Sequence, residues 1–292
     1  MDLLGIVWDA DPAIIKNPLE IRYYGVCWAL GFMLGYQALK GVFKRDGIHI
    51  DRLDTLLMYS LLGGILGARL GHVIFYGPWY TDEGTGYFDD PISILKINEG
   101  GLASHGGVIG MLIAMWLFSR YVSKKNMFWV LDKVVIGVAI SAAMIRIGNF
   151  FNHEIAGTIT DLPWGVHFTN FVHPITHQMD ASGVFRHPVV LYEAFAYLAI
   201  FALLLYAYQK WDWRLYKGRM FGWFLALVFG VRMLTEIVKV HQVDLDDSSI
   251  LTRGQWLSLP LLLAGVFFIW YSNKQEKRSI DDLKLEAKEK KK

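Results

Sequence analysis

Seven long apolar segments constrain the fold of this chain more than any other feature of its sequence. Segments of about twenty apolar residues can cross a bilayer, where only a helix satisfies its own backbone polar groups. The chain is 54% hydrophobic and 19% charged, whereas soluble domains carry about 25% charged residues. The sequence therefore predicts an all-α polytopic membrane protein with seven transmembrane helices, at about 23–42, 54–76, 104–121, 128–150, 188–208, 219–240 and 255–272.

The distribution of lysine and arginine predicts the orientation of the chain. Basic residues are frequent after the first, third and fifth segments, and the tail at 273–292 holds eight of them. The segments 77–103 and 151–187 contain only Lys96 and Arg186, respectively. Since loops rich in Lys and Arg stay in the cytoplasm, we expect the N-terminus outside and the charged tail inside. Residues 1–272 then form the membrane domain, and the two lysine-poor outer loops form a small extracytoplasmic cap.

A dense group of polar side chains lies where the fourth segment ends. Arg146, Asn149 and His153 are three and four residues apart, so they share one helical face. Asn152 and Glu154 follow directly. Ionisable groups at membrane depth are costly and usually face an interior site, although polar residues at an interface can also simply cap a helix.

Two further polar groups lie at the ends of other segments. His105 stands between small residues in ASHGGVIG, where an imidazole can exchange a proton near physiological pH or simply bond to a backbone carbonyl. Arg232 and Glu236 are four residues apart, so they can pair along one face. Such a pair either stabilises the packing of the helix bundle or fixes the orientation of the arginine side chain. All three groups lie at outer helix ends, which predicts one pocket suited to an anionic headgroup.

The second segment carries a stripe of small residues. Gly63, Gly67 and Gly71 repeat every four residues, a pattern that favours close helix packing, and Arg69 and His72 point elsewhere on the same helix. An anion transporter or channel is an alternative to a headgroup site, but it would spread polar residues through the membrane depth. Many transporters also show internal repeats, and none is evident here. The polar cluster argues against a purely structural membrane protein.

The stretch RIGNFFNHEIAG, residues 146–157, resembles the signature of the prolipoprotein diacylglyceryl transferase family. IRYYG, GARLGHVIFY, ASHGGVIG, RHPVVLYEA and FGVRMLTE extend the resemblance over most of the chain. It implies transfer of diacylglycerol from phosphatidylglycerol to the lipobox cysteine of a prolipoprotein signal peptide, with release of glycerol phosphate. Membrane lipids are further expected partners, with no nucleic acid and no metal or organic cofactor. The implied location is the bacterial inner membrane.

The resemblance also implies a set of site residues. His105 is the candidate base for the thiol, since the thiolate is the nucleophile. The two arginines hold the phosphate and stabilise the charge that develops on it, and Glu154 and Glu236 orient them. The implied catalytic residues are His105, Arg146, Arg232 and Glu236. The implied phosphatidylglycerol-binding residues are Tyr24, Arg146, Asn149, Asn152, Glu154, Gly157 and Arg232.

Overall fold

The computed structural model describes residues 5–17, 20–75, 87, 91–96, 100–240 and 250–283. The chain divides into two compact units. The first unit comprises residues 1–39 and 132–279, and the second comprises residues 40–131 and 280–292. Most of the predicted loop 77–103 and the end of the predicted tail lie outside the described residues. The division at residue 272 between a membrane domain and a tail stays a prediction.

Seven helices in the described residues are long and apolar enough to cross a membrane, which confirms the predicted fold class. Each overlaps one predicted segment, but α2 begins four residues early, because Asp51 and Arg52 continue the helix beyond its apolar stretch. A π-helical turn at Phe118–Ser123 extends α3. The helices are α1 Tyr23–Arg45, α2 Ile50–Phe75, α3 Ser104–Leu117, α4 Met127–Phe151, α5 Val189–Lys210, α6 Arg219–Thr235 and α7 Arg253–Asn273.

Short strands accompany the helices of the first unit. β1 (Ile6–Trp8) pairs in parallel with β4 (Val166–Phe168), and β2 (Ala13–Ile15) pairs antiparallel with β3 (Ile21–Arg22). We call β1 together with residues 152–188 the cap. A small apolar core joins the cap to the ends of α4 and α5, since it contains Trp8, Phe150, Phe168, Phe171 and Val190. The cap thus fixes the chain that follows the polar end of α4.

The opposite end of the first unit is held by a buried carboxylate. Asp132, near the start of α4, is 2% exposed and accepts hydrogen bonds from the backbone N–H groups of Gly218 and Phe221. Arg278 donates to the same carboxylate over 3.3 Å and to the Arg214 carbonyl over 2.9 Å. This cluster ties α4, the start of α6 and the chain after α7 together. We call it the base clamp.

Close packing of α2 against α3 organises the second unit. A Cβ on Gly67 would lie 2.7 Å from the Cα of Gly110, so the backbones meet where neither residue has a side chain. This confirms the close packing predicted from the glycine stripe. Arg69 points away from that stripe and is 5% exposed. Its guanidinium donates to five backbone carbonyls of the segment after α2, those of Ser93, Ile94, Lys96, Gly100 and Gly101.

Candidate active site

The chain reverses direction at the end of α4 and folds the signature residues onto one another. His153 and Ile155 both have left-handed backbone angles, with φ of 55° and 57°, a region that costs a residue other than glycine about 1–3 kcal/mol. The turn brings the Glu154 carboxylate back over the helix end. It accepts hydrogen bonds from the side-chain amides of Asn149 over 2.8 Å and Asn152 over 3.0 Å.

Arg146 is held by a carboxylate that the sequence analysis did not identify. Its Nε lies 2.6 Å from Oε2 of Glu193 on α5, and its Nη1 lies 3.4 Å from Oδ1 of Asn149. The Glu193 side chain is 0% exposed, whereas that of Arg146 is 14% exposed. A glutamate inside an apolar helix is by itself a signal of an interior site, and Glu193 could have been found by that criterion. Glu154 acts on Arg146 only through Asn149.

Glu193 is also the centre of a larger charged network. Its Oε1 accepts from Lys239 Nζ over 2.7 Å and from the Thr235 hydroxyl over 2.9 Å. Lys239 in turn lies 3.2 Å from Oε2 of Glu236. Acidic and basic groups therefore alternate through a buried cluster, so each of these buried charges has an opposite charge beside it.

Arg232 differs from these residues, because no hydrogen bond or ion pair joins its guanidinium to another side chain within the described part of the chain. Its Nε is buried without a hydrogen-bond partner. The expected pairing with Glu236 is wrong: the backbone N–H of Glu236 still bonds to the Arg232 carbonyl, but the Glu236 carboxylate pairs with Lys239. Arg146 and Arg232 both interact electrostatically with Tyr197, a buried residue of α5. Both guanidinium groups therefore lie within electrostatic range of one side chain.

Tyr24 and Gly157 are positioned by close backbone packing. A Cβ on Gly148 would lie 3.0 Å from the Tyr24 ring, so Tyr24 packs against the turn of α4 between Arg146 and Asn149. At Gly157 a Cβ would lie 2.6 Å from His187, Val189 and the Val238 carbonyl. Gly157 is required there by packing, where the cap meets the chain after α6.

His105 belongs to the second compact unit. It lies in the first turn of α3, in the second unit, and its side chain is exposed. The other predicted site residues, Tyr24, Arg146, Asn149, Asn152, Glu154, Gly157, Arg232 and Glu236, all belong to the first unit. Within the described residues, no group of three or more His, Cys, Asp or Glu side chains is arranged to hold a metal ion. The absence of a cofactor stays a prediction.

Seven helices long and apolar enough to cross a membrane, together with a buried network of arginine, lysine and glutamate inside the first unit, define a multi-pass membrane protein with an interior polar site. The family model described as prolipoprotein diacylglyceryl transferase matches residues 12–271. The chain belongs to this family.

Similar proteins carry the name phosphatidylglycerol–prolipoprotein diacylglyceryl transferase. The one from Tolumonas auensis is 41% identical over 274 residues, which cover 94% of this chain and 100% of the relative. That from Chloroherpeton thalassium is 40% identical over 271 residues, covering 92% of this chain and 95% of the relative. That from Porphyromonas gingivalis is 41% identical over 273 residues, covering 90% and 93%.

Proposed function

We propose that this protein transfers the diacylglyceryl group of phosphatidylglycerol to the lipobox cysteine of a prolipoprotein. Family membership supports the transferase activity and both substrate classes. The observation that carries the site assignment is the contrast between the two arginines. Arg146 is fixed by the fully buried Glu193, while Arg232 has no carboxylate partner among the described residues. Arginine forks two hydrogen bonds onto phosphate, so this pair suits a lipid phosphodiester.

The reaction exchanges one bond at the glycerol carbon of the lipid. The cysteine thiolate attacks this carbon and forms a carbon–sulfur bond, while the carbon–oxygen bond to phosphate breaks. The electron pair leaves with glycerol phosphate, and the thiol proton passes to a base. Arg146 and Arg232 stabilise the charge that develops on the leaving phosphate, a contribution worth about 10²–10³ in rate per donor in other enzymes.

Smaller polar groups orient the lipid around the phosphate. Asn149 and Asn152 bind glycerol hydroxyls or ester carbonyls, and Tyr24 donates to the headgroup. The contact of Glu154 with both amides supports this role, because it fixes their orientation. Glu236 acts through Lys239 rather than directly on Arg232.

The candidate base is His105. A thiol has a pKa of about 8.5 and reacts as thiolate, so a base increases the reactive fraction at neutral pH. If His105 takes the thiol proton, His105→Gln lowers the transfer rate and changes its dependence on pH between about 6 and 9. His49→Gln, at an exposed histidine of the same unit, is the matched control. Near-normal rates of His105→Gln over that range would rule out this role and leave the family assignment intact.

The protein works in the bacterial inner membrane, with its N-terminus outside and its C-terminus in the cytoplasm. The uneven distribution of Lys and Arg among the loops supports this orientation. Both substrates are then membrane-bound, and the lipid enters sideways between helices.

A direct assay tests the activity. The purified protein is given phosphatidylglycerol and a lipobox peptide, and the release of glycerol phosphate is measured together with the mass increase of the peptide. We expect both products in equal amounts. If a relative modifies the peptide under the same conditions and this protein does not, the proposed function is wrong.

A further inference from the structure

Arg69 of α2 is a buried cation that bonds to backbone carbonyls and, within the described part of the chain, to no carboxylate. Its side chain is 5% exposed, and its guanidinium donates to the five carbonyls of the segment after α2. A buried charge is costly even when hydrogen bonds satisfy it, and an apolar side chain at this place in a membrane helix would avoid the cost. The carbonyls that Arg69 bonds to therefore indicate its role.

Two of these carbonyls directly precede the helix that carries the candidate base. Nη1 of Arg69 donates to the carbonyl of Gly100 over 2.7 Å and to that of Gly101 over 3.0 Å. Both glycines have positive φ, 90° and 71°, a conformation that glycine adopts at little cost. His105 follows four residues after Gly101, in the first turn of α3. The guanidinium thus fixes a sharp bend just before His105, which we call the glycine bend.

The backbone on both sides of His105 is also attached to α2. The N–H of Ala103 donates to the Ala68 carbonyl over 2.9 Å, and Ala103, the N-cap of α3, makes no side-chain cap hydrogen bond. On the other side, a Cβ on Gly106 would lie 2.8 Å from the Cα of Gly71, so the two backbones touch. The start of α3 is therefore placed by contacts with α2 and not by a side-chain cap of its own.

These contacts fix the backbone of His105, whereas its side chain is exposed. The location of the imidazole therefore depends on the path of the chain into α3. A general base must lie within hydrogen-bond reach of the proton that it takes, and a misplacement of about 1 Å can cost 10²-fold in rate. Without Arg69, the glycine bend loses the donor for two carbonyls, and this path is no longer fixed.

We propose that Arg69 is a positioning residue for the transfer reaction, which places the imidazole of His105 by fixing the glycine bend. This inference rests on the proposed function and on His105 as its base. Arg69 acts through the backbone and not on the substrates. Lysine cannot replace it, because only a guanidinium presents five donors in a rigid fork.

A double-mutant cycle tests this role. Arg69→Ala alone should lower kcat by about 10²-fold and leave the KM for phosphatidylglycerol unchanged. In the His105→Gln background the same change should lower kcat by less than about 2-fold, because a base that is absent cannot be misplaced. Arg120→Ala, at an exposed arginine of the π-helical turn that extends α3, should keep the wild-type kcat in both backgrounds.

Two glycine substitutions test the same contact without changing Arg69. In Gly101→Ala the new Cβ would lie 2.5 Å from Nη1 of Arg69, so the guanidinium must move, whereas in Gly100→Ala it would meet no atom within 4 Å. Both changes place a side chain at a positive φ, so Gly100→Ala is the matched control for backbone strain. Gly101→Ala should lower kcat about 10-fold more than Gly100→Ala does. This pair decides the question if Arg69→Ala does not fold.

The outcomes separate this inference from the transferase itself. If the wild-type protein does not modify the peptide, the proposed function fails. If His105→Gln keeps the wild-type kcat, His105 is not the base and the positioning role is wrong, but the transferase stands. If Arg69→Ala lowers kcat by the same factor with and without His105, or if the two glycine variants are equally impaired, Arg69 only stabilises the second unit and the inference is overturned.

Discussion

Replacement of Glu193 by glutamine tests the central ion network most sharply. In the structure Oε1 accepts from Lys239 and Thr235, while Oε2 faces Arg146 Nε at 2.6 Å. A glutamine can keep its carbonyl toward Lys239 and Thr235. Its NH₂ group then faces the Arg146 N–H, so two donors oppose each other where an ion pair stood. The substitution therefore releases Arg146 and removes the negative charge between two buried cations.

The magnitude follows from the burial of these groups. The side chains of Glu193, Lys239 and Arg146 are 0%, 8% and 14% exposed, and removing one partner of a buried pair costs about 3–5 kcal/mol. Since 1 kcal/mol lowers Tm by about 2–4 °C in chains of about 150–250 residues, we expect Glu193→Gln to lower Tm by at least about 6 °C. Misplacement of a positioning group by about 1 Å can cost 10²-fold in rate, so transfer should fall by about that factor.

The assay combines thermal unfolding in detergent with the transfer reaction. Glu276→Gln makes the same change at an exposed glutamate and should alter neither quantity. A destabilisation below about 1 kcal/mol, typical of an exposed ion pair, together with normal turnover would refute the reasoning.

Three further substitutions separate catalysis from stability. Arg232→Ala should lower the transfer rate by a factor of about 10²–10³. Its Tm should change little, because no carboxylate of the described residues loses a partner. A large Tm loss would show that Arg232 is structural. Arg69→Ala should increase protease cleavage near Ser93–Lys96. Arg69→Lys should not restore protection, because an ammonium with three donors cannot bond to five carbonyls. Unchanged cleavage would contradict this role. Asp132→Ala should lower Tm, since removing a buried partner costs about 3–5 kcal/mol. It should leave the KM for lipid unchanged, because the base clamp is far along α4 from Arg146. An altered KM would contradict that separation.

The helices were predictable because membrane insertion imposes a rule that each segment obeys alone. A run of about twenty apolar residues must satisfy its backbone internally, so α4 or α5 is readable without its neighbours. The small strands of the cap were not predicted. β1 and β4 are far apart in sequence, and their pairing depends on the apolar core that joins Trp8 to Phe150 and Phe168.

The site was only partly predictable. Local spacing correctly placed Arg146 beside Asn149, since residues three and four apart share a helical face. It was wrong for His153, which follows the end of α4 and contacts the Ala10 carbonyl instead. The same rule was wrong for Arg232 and Glu236: it places them on one face, but the Glu236 carboxylate pairs with Lys239, a choice that spacing does not determine. Local spacing also could not predict the partners of Glu193, because they lie on other elements.

The sequence by itself determined which residues are apolar enough to span the membrane and which polar side chains interrupt them, since both follow from local composition and helical period. Only the tertiary structure decided which charged side chains form pairs with one another. Glu193 and Lys239 are 46 residues apart, and a buried charge pairs with whatever opposite charge packing brings within a few ångströms. That choice is a property of helix packing and chain reversal, which no single segment encodes.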